Sequence, residues 1–191
     1  MLSLLELGHC RPRPRVCHRF RVLVRERTDE DLDDCVRMAH AVQELDRYPT
    51  FLPTDLRRFL SAPDALLAWV AEQDGEIIGH VALRSGSNVA VLAAASDALK
   101  VPTDRLGVVA RLFVSPEHRR QGVARTLLEV ACQEAHSRGL WPILDVVIDQ
   151  KAAIALYESN GWVRAGQVTS RYGDDIVLEE FVYLGPQPPS G

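Results

Sequence analysis

Hydrophobic and polar residues follow one another along the chain in patterns that predict short strands and amphipathic helices. An apolar run over residues 108–114 ends at Ser115 and Pro116, because proline cannot donate a hydrogen bond to a strand ladder. Apolar residues then recur at helical spacing over 122–138, and a second apolar run follows over 143–148. A strand, a helix and a strand at this spacing predict a right-handed crossover between two parallel strands.

The same patterns predict the remaining elements. Asp74 and Gly75 lie between two apolar runs and are typical of a hairpin turn. Thr28 and Asp31 have the spacing of a capping box and mark the start of a helix. The other predicted elements are a strand over 20–25, helices over 54–61, 89–95 and 152–159, and strands over 66–71, 77–83, 163–169 and 176–184. Helices and strands in this order are typical of an α/β domain.

Length and composition fit one domain. The chain has 191 residues, of which 47% are hydrophobic and 25% charged, and these values are ordinary for a globular domain. The net charge of -4 argues against nucleic acid as the main partner, and no apolar run is long enough to cross a membrane. Residues 1–20 are basic and interrupted by prolines, which predicts a flexible arm, a domain over 21–184 and a disordered tail over 185–191.

Cysteine usage favours a reducing compartment. The cysteines show no framework spacing; they are Cys10, Cys17, Cys35 and Cys132. We predict free thiols in the cytoplasm, and residues 1–7 make a poor signal peptide because they are too few and include an acid. His9 and His18 stand beside two of the cysteines as conceivable zinc ligands. Prolines lie between them and there is no second close cysteine pair, so disorder is favoured and no metal site is predicted.

Arg119, Arg120 and Gly122 lie where the strand over 108–114 turns into the following helix. The first N–H groups of a helix have no partner within the helix and carry the positive end of its dipole, so they bind anions. Gly122 lets the backbone approach a ligand closely, and the two arginines add positive charge. The turn therefore predicts a cradle for a pyrophosphate. A P-loop is excluded, because no Gly-Lys-Ser/Thr follows the turn.

The spacing of Arg119, Gly122 and Ala124 resembles the Arg/Gln-x-x-Gly-x-Gly/Ala signature of the GNAT superfamily, which holds the pyrophosphate of acetyl-coenzyme A. The resemblance covers roughly residues 22–184. It implies a mixed sheet flanked by helices, with two central parallel strands that splay apart around the cofactor, and no metal. The cofactor-binding residues that it implies are Leu112, Phe113, Val114, Arg119, Arg120, Gln121, Gly122, Val123, Ala124, Gln150 and Tyr157.

Residues 150–162 resemble a second element of that family, Asn-x-x-Ala-x-x-x-Tyr-x-x-x-Gly-Phe/Trp. Gln150 stands where relatives carry asparagine, and Tyr157 matches the tyrosine whose hydroxyl can protonate the leaving thiolate. A phenol with a pKa of about 10 is a credible donor for that step, and the alternative is a core aromatic. The resemblance also implies that the backbone N–H of Leu112 stabilises the oxyanion, and that Leu112 and Val114 pair with the pantetheine amides.

The sequence leaves the general base open. Some relatives carry a glutamate on the strand before the signature, but residues 108–114 hold no acid, only Arg111. Strand alternation places Arg111 and Phe113 on one face. Asp145 interrupts an otherwise apolar strand, so it either forms a structural ion pair with Arg111 or faces the acceptor cavity with a catalytic role. Glu44 is a further candidate for the general base.

Other candidates for the acceptor side are Asp46, a second possible base, and the aromatic residues Tyr48, Phe51 and Trp69. The aromatic loop either shapes the acceptor pocket, together with Arg111, or forms a hydrophobic lid on the core.

The resemblance implies an N-acetyltransferase that moves an acetyl group from acetyl-coenzyme A directly to an amine of a small molecule or a peptide N-terminus. No cysteine occupies a motif position, so no acyl-enzyme is expected. The alternatives are a non-catalytic acyl-coenzyme A-binding regulator and an O-acyl or longer-chain acyltransferase. We expect no nucleic acid or membrane partner, and exposed strand edges make a homodimer plausible.

Overall fold

The computed structural model describes residues 22–46, 53, 55–61, 63–172 and 176–187. Its strands are β1 Leu23–Glu26, β2 Ala65–Gln73, β3 Glu76–Arg84, β4 Leu106–Val114, β5 Trp141–Val147, β6 Val163–Tyr172 and β7 Ile176–Leu184. Its α-helices are α1 Leu32–Asp46, α2 Leu56–Leu60, α3 Val89–Leu99, α4 Val123–Ser137 and α5 Lys151–Ser159. The predicted elements are confirmed, with ends that shift by a few residues. The arm over 1–20 and residues 188–191 lie outside the described residues, and the domain boundaries stay predictions.

The described strands form one mixed sheet in the order β1-β2-β3-β4-β5-β7-β6. β4 and β5 are parallel neighbours, and the other neighbours are antiparallel. The β2–β3 hairpin turns at Asp74 and Gly75, which have φ angles of 53° and 84°. Two successive residues with positive φ are the backbone that a tight hairpin turn requires, so the predicted turn is confirmed.

Helices cover both faces of the sheet. The apolar stripe of α4, which includes Leu127, Leu128 and Ala131, packs on one face together with Trp69 of β2. The next residue of β2, Val70, belongs instead to the cluster formed by α1 and α2. Successive strand residues point to opposite faces, so α4 and α1 lie on opposite sides. Full burial of each such leucine contributes roughly 1.5–3 kcal/mol.

The two central parallel strands pair only at their beginnings. Leu106 lies opposite Trp141, and the pairing ends where Val108 lies opposite Ile143. Beyond that point β4 and β5 diverge, which confirms the splay implied by the family resemblance. A gap through the middle of the sheet results.

A β-bulge in β4 lies beside this gap. Ala110 pairs with Ala82 of β3, and the next β4 residue with a partner is Phe113, which pairs with His80. Two β4 residues therefore stand opposite one β3 residue, and the first of them, Arg111, has a φ of 55°. The bulge reverses the alternation of side chains along the strand. It therefore fixes which β4 residues face the gap.

Candidate active site

A cavity of about 1020 Å³ opens where β4 and β5 separate. It is lined by both splayed strands, by the turn before α4, by the starts of α4 and α5, by the segment before α3, and by residues of α1, α2, β3, β6 and β7. Of the residues predicted from the sequence, it brings together Arg111, Leu112, Phe113, Val114, Arg119, Arg120, Gly122, Val123, Ala124, Asp145, Gln150 and Tyr157. Gln121 is exposed and is not among the lining residues; its side-chain amide lies 3.5 Å from the carbonyl of Glu117.

The turn before α4 forms the first end of the cavity. Arg120 and Gly122 have φ angles of 62° and 87°, so the backbone adopts the left-handed conformation twice within three residues. α4 begins at Gly122 with no side-chain cap, and its first N–H groups therefore remain available to a ligand. A Cβ added to Gly122 would meet no protein atom within 4 Å, so the space over this residue is open. The arrangement can bind an anion.

A second helix begins at the same edge of the sheet, because α4 and α5 follow the carboxyl ends of the parallel neighbours β4 and β5. Gln150 is the N-cap residue of α5, and no side-chain hydrogen bond caps that helix either. Lys151 and Arg125 also line the cavity, in addition to Arg119 and Arg120. Two uncapped helix starts and four cations thus line the cavity. We call the turn over 115–122, with the starts of α4 and α5, the basic end.

Tyr157 and Leu112 both line the cavity. The Tyr157 ring packs in the core, with centroids 6.0 Å from Trp162 and 6.1 Å from Tyr183, and the residue also lines the cavity. The two roles weighed for Tyr157 from the sequence are therefore compatible. Leu112 is the second residue of the β4 bulge and lines the cavity between the splayed strands.

Two acids also line the cavity. Glu180 of β7 is 3% exposed, and Asp145 lies on the neighbouring strand β5. The Tyr172 hydroxyl donates to the Glu180 carboxylate at 3.0 and 3.2 Å, and the Ser87 hydroxyl donates to Asp145 at 3.2 Å. Arg84 lines the same region. We call these five residues the acidic end.

Burial dominates the electrostatics of the acidic end. It raises the pKa of Asp145 above the ordinary carboxyl range, and the Ser87 hydrogen bond and the Arg84 charge act against that rise. Burial also raises the pKa of Glu180, and the nearby charge of Asp145 adds to the effect. A carboxylate that holds its proton more tightly is a stronger base. The pair is therefore equipped to attract a cation and to accept a proton.

Sequence reasoning missed Glu180 and Tyr172. Glu180 interrupts the buried side of an otherwise apolar strand, and the same signal pointed to Asp145. The adjacent acid, Glu179, is exposed and accepts hydrogen bonds from Thr169 and Gln167. The sequence pattern alone does not show which of the two acids faces the cavity.

The remaining predicted residues do not meet at the cavity or fall outside the description. Glu44 is exposed and does not line the cavity. Trp69 is buried in the α4 cluster and does not line it either, so its predicted place in the acceptor pocket is wrong. Tyr48, Phe51 and the side chain of Asp46 lie outside the described residues. Phe59 lines the cavity instead, and the Arg111 guanidinium lies 4.4 Å from its ring.

Three further features of the described residues complete the description. Among them, no group of three or more His, Cys, Asp or Glu side chains is arranged to hold a metal ion. No helix in the described part of the chain combines the length and the apolar character needed to cross a membrane. Cys35 and Cys132 are buried and free, and burial raises the pKa of each thiol to about 12.

Comparison with known proteins agrees with this geometry. A sequence model described as the acetyltransferase (GNAT) family matches residues 29–162. N-acetyltransferase 8 from Homo sapiens is 36% identical over 100 residues, which cover 52% of this chain and 39% of that protein. N-acetyltransferase 8 from Mus musculus is 32% identical over 123 residues, 62% of this chain and 49% of that protein. The chain thus spans less than half the length of these relatives.

Solved structures share the fold. The ribosomal-protein-S18-alanine N-acetyltransferase from Escherichia coli superposes with a TM-score of 0.63 at 21% identity, over 90% of this chain and 97% of that one. NAA60 from Arabidopsis thaliana, solved in complex with acetyl-CoA, gives 0.63 at 17% identity, over 86% and 97%. At such identities the likeness concerns the fold, whereas the sequence match spans most of the described domain. The chain belongs to the GNAT family of acetyltransferases.

Proposed function

We propose that this protein transfers an acetyl group from acetyl-coenzyme A to the amine of a small molecule or a peptide N-terminus. The observation that carries the proposal is one continuous cavity with a basic end built from two helix starts and an acidic end built from two buried carboxyl groups. An anionic donor would bind the basic residues of such a cavity, and a cationic acceptor would bind its acidic residues. The splay between β4 and β5 is the place where they would meet.

The basic end suits the donor. The uncapped N–H groups of α4 and the positive charge of Arg119 and Arg120 would hold the pyrophosphate of coenzyme A. Gly122 leaves open space for the phosphate oxygens to approach the backbone. The stretch of β4 after Val108, which no longer pairs with β5, would bind the pantetheine arm as an added strand on that side. The structure of NAA60 in complex with acetyl-CoA supports this donor in a protein of the same fold.

The acidic end suits an amine. An alkylammonium ion would be drawn to Asp145 and Glu180, and a neutral amine is needed for attack on the thioester. Glu180 would accept the proton, because burial raises its pKa and its Tyr172 hydrogen bond fixes the orientation of the carboxylate. The base would therefore come from β7, whereas the strand before the signature carries only Arg111.

The transfer itself would need no acyl-enzyme. The amine nitrogen would attack the thioester carbon, and the backbone N–H of Leu112 would stabilise the developing oxyanion. When the tetrahedral intermediate collapses, the C–S bond breaks and the Tyr157 hydroxyl would protonate the leaving thiolate. Neither Cys35 nor Cys132 lines the cavity, and their raised pKa values keep both thiols protonated.

The proposal is tested by measuring coenzyme A release and acetylated product with a panel of acceptors. The panel would contain primary amines, amino acids, short peptides and, as matched controls, the alcohols that correspond to the primary amines. We expect amine-dependent release with a product mass increased by one acetyl group. Tight coenzyme A binding without transfer to any acceptor would favour the regulator. Transfer to the alcohols alone would favour an O-acyltransferase.

The cytoplasmic location and the homodimer stay predictions from the sequence. The free, buried thiols of Cys35 and Cys132 support a reducing compartment. Cell fractionation tests the first prediction and light scattering of the purified protein tests the second.

A further inference from the structure

His80 is a fully buried polar residue in the middle of β3, directly across from the bulge in β4. Its Nδ1 lies 2.9 Å from the carbonyl oxygen of Arg111. Its ring stacks on Phe113, with centroids 5.0 Å apart and planes inclined by 17°. The contact with Arg111 joins a side chain to the backbone of the bulge and is buried from solvent.

The partners of the ring define its tautomer. Nε2 lies 3.4 Å from an Nη1 of Arg27, and a guanidinium can only donate, so Nε2 must accept. The proton therefore resides on Nδ1, which donates to the Arg111 carbonyl. Burial lowers the pKa of His80 to about 3, with the nearby Arg27 and Arg111 charges adding to the effect, so this neutral tautomer persists at physiological pH.

The Arg111 carbonyl and the Leu112 N–H belong to the same planar peptide group and point in opposite directions. This peptide lies within the bulge, between the paired residues Ala110 and Phe113. Arg111 has a φ of 55°, a left-handed conformation that costs a non-glycine residue roughly 1–3 kcal/mol and persists only when the surroundings hold it. A hydrogen bond on the carbonyl side fixes the direction of the N–H on the other side.

We infer that His80 is a positioning residue for acetyl transfer: its bond to the Arg111 carbonyl aims the Leu112 N–H at the thioester oxygen of the donor. The inference rests on the proposed function, in which Leu112 stabilises the oxyanion. The bond also polarises the peptide and so strengthens the N–H as a donor. His80 touches neither substrate and acts through the backbone alone.

Two substitutions separate this role from simple packing. His80→Phe keeps an aromatic ring to stack on Phe113 and removes the donor. His80→Asn removes the ring and keeps an amide N–H where Nδ1 stood. If His80 only packs against its neighbours, the asparagine variant should have the lower kcat, because it leaves a cavity. If His80 positions the Leu112 N–H, the phenylalanine variant should have the lower kcat, whatever the order of the two Tm values.

We expect His80→Phe to lower kcat by about 10–100-fold, a fraction of what loss of a whole oxyanion donor costs, with Kd for coenzyme A unchanged within about twofold. His80→Asn should recover kcat to within about fivefold of the unaltered protein although its Tm is the lowest. If kcat instead follows Tm, so that the phenylalanine variant is the more active, the inference is overturned.

Two further readouts need no turnover. Isotope-edited infrared spectra of bound acetyl-coenzyme A carrying ¹³C in its acetyl carbonyl should show a lowered stretching frequency in the unaltered protein and in His80→Asn, but not in His80→Phe. Nitrogen-15 NMR of the unaltered protein should show a neutral His80 protonated at Nδ1. A shift of the carbonyl band that depends on His80, with no transfer to any amine, would refute the proposed function while still showing that His80 aims the Leu112 N–H at the thioester oxygen. An Nε2–H tautomer, or a band indifferent to both variants, would refute the inference.

Discussion

The two ends of the cavity recognise charge in different ways. The basic end uses mainly backbone: uncapped helix starts at α4 and α5, with Arg120 and Gly122 in left-handed conformations. The acidic end uses side chains, with the carboxyl groups of Asp145 and Glu180 held by Ser87 and Tyr172. A backbone site depends on local conformation and tolerates changes of side chain. A side-chain site can be altered by one substitution. Specificity for the proposed acceptor should therefore be easier to change than specificity for the donor.

The largest expected effect lies where the two ends meet. Tyr157→Phe removes the hydroxyl proposed to protonate the thiolate, so kcat should fall about 10²–10⁴-fold while Kd for coenzyme A stays within about twofold. Turnover and calorimetric titration measure the two quantities. Tyr183→Phe is the matched control, since its ring belongs to the same aromatic cluster and its hydroxyl donates to Glu158. Equal losses of kcat in both variants would assign Tyr157 a packing role only.

The next effect concerns the acidic end. Glu180→Gln should lower kcat/KM for the amine about 10²-fold or more at neutral pH, because the amide cannot accept the proton. Burial and the charge of Asp145 raise the pKa of Glu180, so the ascending limb of kcat/KM against pH should lie above the ordinary carboxyl range. The limb should vanish in the variant. A variant that retains the same limb would show that another group is the base.

A smaller effect is expected at the basic end. Gly122→Ala places a Cβ on a residue with a φ of 87°, and a left-handed conformation costs a non-glycine residue about 1–2 kcal/mol. The unliganded turn would relax, and coenzyme A would have to restore it, so Kd should rise about 5–30-fold.

Gly75→Ala is the matched control for that substitution. Its φ is 84°, its Cβ would also meet nothing within 4 Å, and it lies in the β2–β3 hairpin outside the cavity lining. We expect similar destabilisation with an unchanged Kd. A Kd that rises equally in both variants would mean that general instability, and not the cradle, governs affinity.

The smallest expected effect is on the stability of the fold, and it concerns Glu180 of the acidic end. A raised pKa means that the folded state holds the Glu180 proton more tightly than the unfolded state, so this group stabilises the fold less as pH rises through its folded pKa. Glu180→Gln removes that dependence. The free energy of unfolding in urea of the variant, minus that of the unaltered protein, should be more positive at pH 8 than at pH 5. An identical difference at both pH values would show that the carboxyl is not destabilised by burial.

The turn at the basic end was predictable from the sequence because its residues are contiguous. Arg119, Gly122 and Ala124 lie within six positions of one another at the start of a strongly amphipathic helix, so local signals suffice. Most element types were predictable because periodicity defines them, whereas the β4–β5 splay was predicted from the family resemblance.

The acidic end was not predictable, because long-range strand pairing assembles it. Glu180 reaches the cavity because β7 pairs with β5 in a register that sets it opposite Val147. A shift of one residue would turn Glu179 inward instead, and nothing local fixes that register. Nothing in the sequence predicted the β4 bulge either. Arg111 adopts a positive φ there, a conformation for which a glycine would be expected. The Arg111 carbonyl accepts a hydrogen bond from His80, a residue on another strand.

The most direct test of the two-ended cavity is a calorimetric titration of coenzyme A into the Asp145→Asn/Glu180→Gln variant, with turnover measured on the same samples. We expect turnover below about 1% of the unaltered protein, as both candidate bases are lost. We also expect a Kd for coenzyme A that stays within about threefold, since the donor is held by the basic end. A Kd that rises in parallel with the loss of turnover, or turnover that survives, would show that the two ends do not bind donor and acceptor separately.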